Sequence, residues 1–278
     1  MIKKFPFFHL FLFLLTLFST LIAGALHTGI DLLKEPEKIY KGLPFALTLM
    51  TILLVHELAH YFASKKHHTK ATLPYFIPAP TIIGTFGAFI KMKSPIMTRK
   101  ALVDIGASGP IAGFIISVIV SMIGLSLSKV VAIGETKGAL GLGDSLLFSF
   151  LSDMILNYQP GLQDIALHPV AFAGWIGLFV TSLNLIPIGQ LDGGHIAYAL
   201  LGEKHFLLSN ILVATMVFLG LLLWEGWTIW AVLLIILGRR HPPVLHWEVP
   251  LDTKRRFIGW VSLAIFVFTF IPVPFKIL

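Results

Sequence analysis

Long apolar runs recur along this sequence and limit what it can fold into. A run of about 20 apolar residues matches the thickness of a bilayer core. Of the 278 residues, 56% are hydrophobic and only 13% are charged, which leaves too little polar surface to cover soluble domains. The sequence therefore predicts an all-α polytopic membrane protein with about six to seven transmembrane segments. The apolar segments lie at about 5–26, 44–64, 101–127, 166–188, 207–223, 227–238 and 257–277.

Basic residues cluster in two of the links between these segments, 65–100 and 239–256. Positive charge marks the cytoplasmic side of membrane proteins, so this distribution explains the net charge of +7 without a nucleic-acid partner. Both links are cytoplasmic if the N-terminus is cytoplasmic and 207–238 forms two helices joined by a tight turn at Trp224–Trp227. We expect a multi-pass protein of the prokaryotic inner membrane with this orientation.

The first apolar segment follows Lys3 and Lys4 and ends in the small residues Ala23-Gly24-Ala25. A cleaved signal peptide has a similar pattern, but this run is long for one, and we expect it to remain as an anchor. The links 27–43 and 128–165, which mix acidic and basic residues, then fall outside the cell.

The link between the second and third segments is not an ordinary loop. Three prolines punctuate 73–80, which prevents a continuous helix. The following stretch, 81–92, is rich in β-branched and aromatic residues with glycine breaks, which predicts extended chain. Because it is too apolar for a solvated loop, we expect a short membrane-associated β-strand region that packs on protein.

The sequence His56-Glu57-Leu58-Ala59-His60 ends the second apolar segment and matches the pattern H-E-x-x-H. Residues i and i+4 of a helix share a face, so His56 and His60 can bind one Zn²⁺. Glu57 is placed to accept a proton from water at the metal. Three ionisable side chains in a membrane helix are costly and require a function. The alternative is two interfacial histidines and a glutamate with no metal.

A catalytic zinc site of this type needs a third protein ligand, for which Asp192 is the candidate. Asp192 follows an uncharged segment, among a proline and several glycines, which favours a broken helix that brings the carboxylate to the metal. Two alternatives are that Asp192 is the N-cap of a helix at 193–201, or that His195 is the ligand instead. The other histidines show no metal-ligand spacing, and the adjacent His67 and His68 are most simply a solvated cytoplasmic pair. Thiolate ligands are excluded, because the chain has no cysteine.

The motif HELAH in an apolar segment, followed at 184–194 by Asn-x-x-Pro-x-x-x-Leu-Asp-Gly-Gly, resembles the site-2 protease family of intramembrane metalloproteases. The sequence Gly-Pro-Ile-Ala-Gly at 109–113 is also similar to the core of that family. The resemblance covers about 44–201. It implies one Zn²⁺ per chain, bound by His56, His60 and Asp192, with Glu57 as general base and acid.

The same resemblance implies two further roles. Asn184 would help to position the substrate or to steady the oxyanion. The stretch Gly84–Ile90 would be the apolar strand region beside the active site, and its candidate substrate-binding residues are Gly84, Thr85, Phe86, Gly87 and Ala88.

The sequence thus predicts an intramembrane zinc metalloprotease that hydrolyses peptide bonds in or next to transmembrane segments of membrane proteins, as in regulated intramembrane proteolysis. Its partners would be a transmembrane protein substrate and the lipid bilayer, not nucleic acid. We expect one membrane-embedded domain over 1–278, without the PDZ or CBS module that many members of the family carry. A zinc transporter or metal sensor would use the same histidines but would not need Glu57 as a non-ligand base. An inactive scaffold would not need Glu57 at all.

Overall fold

The computed structural model describes residues 6–132, 140–159 and 161–277, and this part of the chain is mostly helical. A 3₁₀ helix at Pro36–Gly42 leads directly into the second α-helix. The α-helices are α1 (Phe7–His27), α2 (Leu43–Lys66), α3 (Arg99–Ser126), α4 (Leu146–Ile155), α5 (Pro169–Leu185), α6 (Asp192–Leu201), α7 (Lys204–Leu222), α8 (Gly226–Leu237) and α9 (Thr253–Thr269). The strands are β1 (Tyr75–Pro78), β2 (Thr85–Phe89), β3 (Lys129–Ala132), β4 (Leu140–Leu142), β5 (Gln163–Ala166) and β6 (Phe275–Ile277).

Four segments of the described chain are long and apolar enough to cross a membrane: α1, residues 36–66, α3 and α7. The apolar helices α4, α5 and α8 are shorter. The protein is therefore a polytopic membrane protein, as the sequence predicts. Its described residues form three small sheets, whereas the sequence predicts one strand region, between the second and third segments. Length and composition alone identify fewer crossings than the six to seven expected.

The last apolar segment, 257–277, is not a single helix. Helix α9 ends at Thr269, and β6 then pairs antiparallel with β4. Pro272 and Pro274 explain the change, because proline cannot continue a helix. The described parts of the link 128–165 also contain regular structure: α4, β3, β4 and most of β5, with β3 paired antiparallel to β5.

The stretch 207–238 forms two helices, as predicted. Helix α7 ends at Leu222 and α8 begins at Gly226, so the turn is formed by 223–225 and overlaps the predicted turn at Trp224–Trp227. The two helices approach closely at Gly220, where an added Cβ atom would lie 2.0 Å from Thr228 Oγ1.

Helix α3 lies at the centre of the bundle and packs against α2, α5 and α6. Its first turn is capped by Thr98, whose Oγ1 accepts a hydrogen bond from the Ala101 amide at 3.2 Å. Small residues bring α3 close to α5: a Cβ atom at Gly177 would lie 2.2 Å from Ser117 Oγ. This close packing fixes α3 as the support for the helices that carry the candidate site.

Strands β1 and β2 form an antiparallel hairpin between α2 and α3. Phe76 faces Ala88 and Pro78 faces Thr85, so β2 has one extra residue and a bulge between these pairs. Gly87, with a φ of +96°, lies in this bulge. Within the described residues, the second edge of β2 pairs with no other strand.

The segments that link the helices contact one another at the two ends of α9. At its N-terminal end the two basic links meet, because the His246 amide donates a hydrogen bond to the Met97 carbonyl at 2.8 Å. At its C-terminal end, β6 pairs with β4, and Trp227 Nε1 donates to the Pro272 carbonyl at 2.7 Å. The basic links therefore lie at one end of the bundle, and the α7–α8 turn lies with β4 and β6 at the other.

Candidate metal centre

Three donor atoms from two helices converge on one point. His56 and His60 lie one turn apart on α2, and their Nε2 atoms are 3.1 Å apart. Asp192 Oδ2 lies 3.3 Å from His56 Nε2 and 3.2 Å from His60 Nε2. Ligand atoms around a tetrahedral zinc ion with bonds of about 2.0–2.1 Å are separated by about 3.3–3.4 Å. The dimensions of this triangle therefore fit a tetrahedral Zn²⁺.

The hydrogen bonding of His60 also favours a cation. Its Nδ1 lies 2.7 Å from the backbone carbonyl oxygen of Ile105, which can only accept a hydrogen bond. In the neutral ring the proton is therefore on Nδ1, and Nε2 presents a lone pair to Asp192. The side chains of His56, His60 and Asp192 are only 5%, 7% and 17% exposed, so solvent does not separate these electron-rich atoms. A metal ion at this point would supply positive charge to all three donors.

Two glycines of α3 leave room for the imidazole rings. A Cβ atom at Gly109 would lie 2.1 Å from His60 Nε2, and one at Gly113 would lie 2.9 Å from His56 Nδ1. These glycines are one turn apart and face α2. The spacing of the Gly-Pro-Ile-Ala-Gly sequence is thus explained by the two rings that pack on this surface.

The carboxylate of Asp192 reaches the site because a loop interrupts the chain between α5 and α6. The N-cap of α6 is Leu191, and Asp192 is the first residue of the helix, so the N-cap interpretation of Asp192 is wrong. The two glycines that follow allow the helix to start against the loop backbone. A Cβ atom at Gly193 would lie 2.0 Å from the Leu185 carbonyl oxygen, and one at Gly194 would lie 2.4 Å from that of Gly189.

His195, the alternative third ligand, is turned to another histidine. Its Nδ1 lies 2.6 Å from His241 Nε2, and His241 Nδ1 lies 2.6 Å from the Pro242 carbonyl oxygen. Burial, reinforced by the neighbouring His195, lowers the pKa of His241 to about 3, so this ring is neutral and accepts the hydrogen bond. Among the described residues, the cluster of three converging donors consists of His56, His60 and Asp192.

Glu57 is buried, with 5% of its surface exposed, and is not one of the three converging donors. The backbone of Ile90 forms a hydrogen bond to its carboxylate. Because Ile90 directly follows β2, this contact joins Glu57 to the hairpin. Asn184 also comes to the site, where its Nδ2 lies 3.4 Å from His56 Nε2.

The predicted substrate-binding residues of the hairpin have different environments. Thr85 is buried and its Oγ1 donates to the Ile77 carbonyl at 2.7 Å, so this side chain holds the hairpin together. Ala88 packs against the main core, while the ring of Phe86 is 71% exposed. Gly84 lies at the turn and contacts α1 rather than the metal-binding residues.

One polar cluster beside the site was not predicted. Asp104 on α3 accepts two hydrogen bonds from Arg255 on α9, at 2.9 and 2.6 Å, and a third contact from His67 Nε2 at 2.8 Å. The interpretation of His67 as a solvated residue is therefore wrong. An acidic residue inside the third apolar segment was the signal for this cluster. It joins α2, α3 and α9 next to Ile105, which orients His60.

Known proteins resemble this chain over most of its length. A family model described as Peptidase family M50 matches residues 44–223. The chain is 34% identical over 240 residues to the probable zinc metalloprotease EGY1, chloroplastic, of Arabidopsis thaliana, an alignment that covers 84% of this chain and 43% of that protein. It is 32% identical over 252 residues to the probable zinc metalloprotease EGY2, chloroplastic, of the same plant, covering 89% and 44%. This chain thus spans less than half the length of these curated relatives. No solved structure matches it.

Proposed function

Because the chain belongs to peptidase family M50, the site-2 protease family of zinc metalloproteases, we propose that it is an intramembrane zinc metalloprotease. It hydrolyses peptide bonds in or next to transmembrane segments of membrane proteins, as in regulated intramembrane proteolysis. The observation that carries this proposal is the triangle of His56, His60 and Asp192 donor atoms, 3.1 to 3.3 Å apart, on helices of a membrane-spanning bundle. One membrane-embedded domain provides the whole site.

The position of the site along α2 supports cleavage within the membrane. At about 1.5 Å per residue, His56 is about 15 Å from the end of α2 at Lys66. The hydrocarbon core of a bilayer is about 30 Å thick, so this depth is near its middle. The preceding residues of α2 carry no charge, which agrees with a helix surrounded by lipid and protein.

The contacts between links support seven crossings, by α1, α2, α3, α5, α7, α8 and α9. Since β4 pairs with β6, an even number of crossings separates these strands, and α5, α7, α8 and α9 provide four. The end of the bundle that holds both basic links, together with the N-terminus, is assigned to the cytoplasm. The relatives are described as chloroplastic plant proteins and give no support to the prokaryotic inner membrane expected from the sequence.

The hairpin extends along α1 over most of the membrane's thickness. His9 Nδ1 bonds the Pro74 carbonyl at 3.1 Å, and His27 Nε2 bonds the Ile82 carbonyl at 2.6 Å. At about 1.5 Å per residue, the stretch of α1 from His9 to His27 is about 27 Å long. We therefore assign β1 and β2 to the interior of the membrane, covered on one side by α1.

In the proposed reaction, His56, His60 and Asp192 would hold Zn²⁺. When bound, Zn²⁺ supplies Lewis acidity, which lowers the pKa of a water to about 7 and polarises the scissile carbonyl. Glu57 accepts a proton from the attacking water and returns it to the leaving amine. The hydrogen bond from Ile90 keeps the Glu57 carboxylate in one orientation. The Asn184 amide donates to the oxygen on which negative charge develops.

The free edge of β2 would bind the unwound substrate. A transmembrane helix must unwind before its carbonyls can be attacked, and its freed backbone groups then need partners in an apolar site. Ile90 bonds Glu57, whereas the next amide, that of Lys91, donates to Thr72 Oγ1 on the β1 side at 2.9 Å, so the Ile90 amide is on the edge away from β1. Along a strand, successive amides point alternately toward and away from the neighbouring strand. The Ala88 amide, two residues before Ile90, therefore lies on the same edge as the Ile90 amide. The substrate thus adds as one more strand next to Glu57.

Cleavage of a tagged single-span membrane protein by the purified protein tests this function. We expect cleavage that stops with a chelator, resumes when zinc is added back, and is lost together with zinc in Asp192→Ala. The matched control His195→Ala should keep its zinc, because His195 bonds His241 instead. A purified, zinc-loaded protein that cleaves no membrane substrate would contradict the proposal, as would an Asp192→Ala variant with full zinc and full activity.

A further inference from the structure

Helix α1 lies outside the region matched by the family model, which begins at residue 44, yet it contacts the hairpin at three levels. Besides the bonds of His9 and His27 near its two ends, Ser19 Oγ donates to the Gly84 carbonyl at 2.6 Å. The three acceptors are backbone carbonyls: Pro74 lies just before β1, and Ile82 and Gly84 lie in the turn between β1 and β2. Helix α1 is therefore bonded to the hairpin backbone and not only packed against its side chains.

The contact at Gly84 is between two backbones. A Cβ atom at Gly84 would lie 2.6 Å from the Ser19 carbonyl oxygen and 2.6 Å from Thr20 Cα. The φ of Gly84 is +80°, a conformation that also favours glycine. Because no flexible side chain lies between them, the position of α1 limits where the turn can lie.

Helix α1 is held just as tightly against the beginning of α2. A Cβ atom at Gly42, immediately before α2, would lie 2.1 Å from the Leu21 carbonyl oxygen. One at Gly24 would lie 2.7 Å from the Gly42 carbonyl oxygen. The ring of His27, which bonds the hairpin turn, also packs edge-on against Phe45 of α2 with centroids 5.5 Å apart. Helix α1 thus connects the hairpin turn to the helix that carries Glu57.

We propose that α1 is a positioning element that sets the register of the substrate strand against Glu57, with Ser19 and Gly84 as the positioning pair. This inference rests on the proposed function. Strand β2 is then fixed at both ends, at Gly84 by α1 and at Ile90 by Glu57. A misplacement of about 1 Å can reduce catalysis by about 100-fold, so a substrate bound along β2 needs both anchors. Ser19 acts through the hairpin and touches neither the metal-binding residues nor the substrate.

Ser19→Ala, with Ser19→Thr as the rescue, tests the proposal without adding bulk. Loss of one hydrogen bond should lower kcat/KM about tenfold. The cut, mapped by mass spectrometry, should spread from one peptide bond to its neighbours, while zinc content stays at one per chain. Ser19→Thr keeps the hydroxyl and should restore a single cut site. The matched control is Ser126→Ala, because the Ser126 hydroxyl bonds only the Ile123 carbonyl of its own helix.

A second measurement does not depend on cleavage. With a photocrosslinking residue at the exposed position of Phe86 in a Glu57→Gln background, the substrate should crosslink strongly, and Ser19→Ala should weaken the crosslink. Normal kcat/KM, a single cut site and an unchanged crosslink in Ser19→Ala would overturn the role of α1 and leave the protease function intact. A loss of zinc in Ser19→Ala would also overturn it, because α1 would then support the whole fold. No cleavage by the unmodified protein would instead remove the proposed function.

Discussion

His60 Nδ1 lies 2.7 Å from the carbonyl oxygen of Ile105, on the helix that packs against the metal-binding face of α2. The ring of a metal-binding histidine is usually oriented by such a bond from its second nitrogen. Here the acceptor is a backbone atom, so the orientation of His60 depends on the position of α3 as a whole. Asp104, the residue before Ile105, bonds α3 to α9 and to the end of α2.

Asp104→Asn should loosen this junction, because an amide cannot accept all the bonds that Arg255 and His67 make to the carboxylate. We expect the free energy of unfolding to fall by about 1–3 kcal/mol, since both partners are mostly buried. The dissociation constant for zinc should rise at least about tenfold. Thermal unfolding and zinc titration in detergent measure the two effects. Asp31→Asn, which removes an exposed pair with Lys34, is the control. Unchanged zinc affinity in Asp104→Asn would exclude the link to His60.

Gly109→Ala should remove zinc as completely as His60→Ala. The added methyl group would lie 2.1 Å from His60 Nε2, so the ring must leave its position. Gly113→Ala should have a smaller effect, because its methyl group would lie 2.9 Å from His56 Nδ1. Zinc content of the purified variants measures both. A Gly109→Ala protein with one zinc ion per chain would show that the rings do not pack on α3 in this way.

Motif spacing predicted the residues of the candidate site. It did not predict the residues that hold the site in position. The distance between His56 and His60 follows from helical periodicity, and Asp192 stands out as a charge beside an uncharged segment. The pair Asp104 and Arg255 joins residues 151 positions apart. The charge of Asp104 in an apolar segment marks that residue but does not identify its partner. The contact of Ile90 with Glu57 involves a backbone group. Because every residue has a backbone, the residue type at position 90 does not indicate this contact.

The same distinction applies to the fold. Hydrophobicity and charge predicted the long helices, the α7–α8 turn and an extended stretch between α2 and α3. They did not predict α4 or the pairing of β4 with β6, because these short elements depend on contacts between distant parts of the chain.

Ala88→Pro should sharply reduce cleavage without changing zinc content. Proline removes the amide that we assign to the free edge of β2, and it disturbs strand pairing there. Ala88→Gly, which keeps the amide, is the matched control. Thr85→Pro should also reduce cleavage, and it additionally removes the Oγ1 bond to Ile77 that holds the hairpin together. Cleavage rate and zinc content in the same preparation provide the test. Normal cleavage by both proline variants, in folded and zinc-loaded protein, would rule out strand addition at β2.

Reporter fusions test the assigned crossings. Fusions after Lys66 and Arg240 should report the same side of the membrane, because the links that follow them meet at one end of the bundle. A fusion within 145–159 should report the opposite side. If the fusion after Arg240 agreed with the one within 145–159, helices α7 and α8 would not be two crossings.

In the proposed reaction, Glu57 drives peptide hydrolysis inside the membrane. The most direct measurement maps, by mass spectrometry, the products that the zinc-loaded protein and its Glu57→Gln variant form from a tagged transmembrane substrate in liposomes. We expect a cut within the substrate's transmembrane segment. We also expect turnover to fall by at least about 10²–10⁴-fold in Glu57→Gln at unchanged zinc content, because the amide cannot accept the proton of the attacking water. Near-normal turnover by Glu57→Gln, or a cut found only in parts of the substrate away from its transmembrane segment, would contradict this role of Glu57.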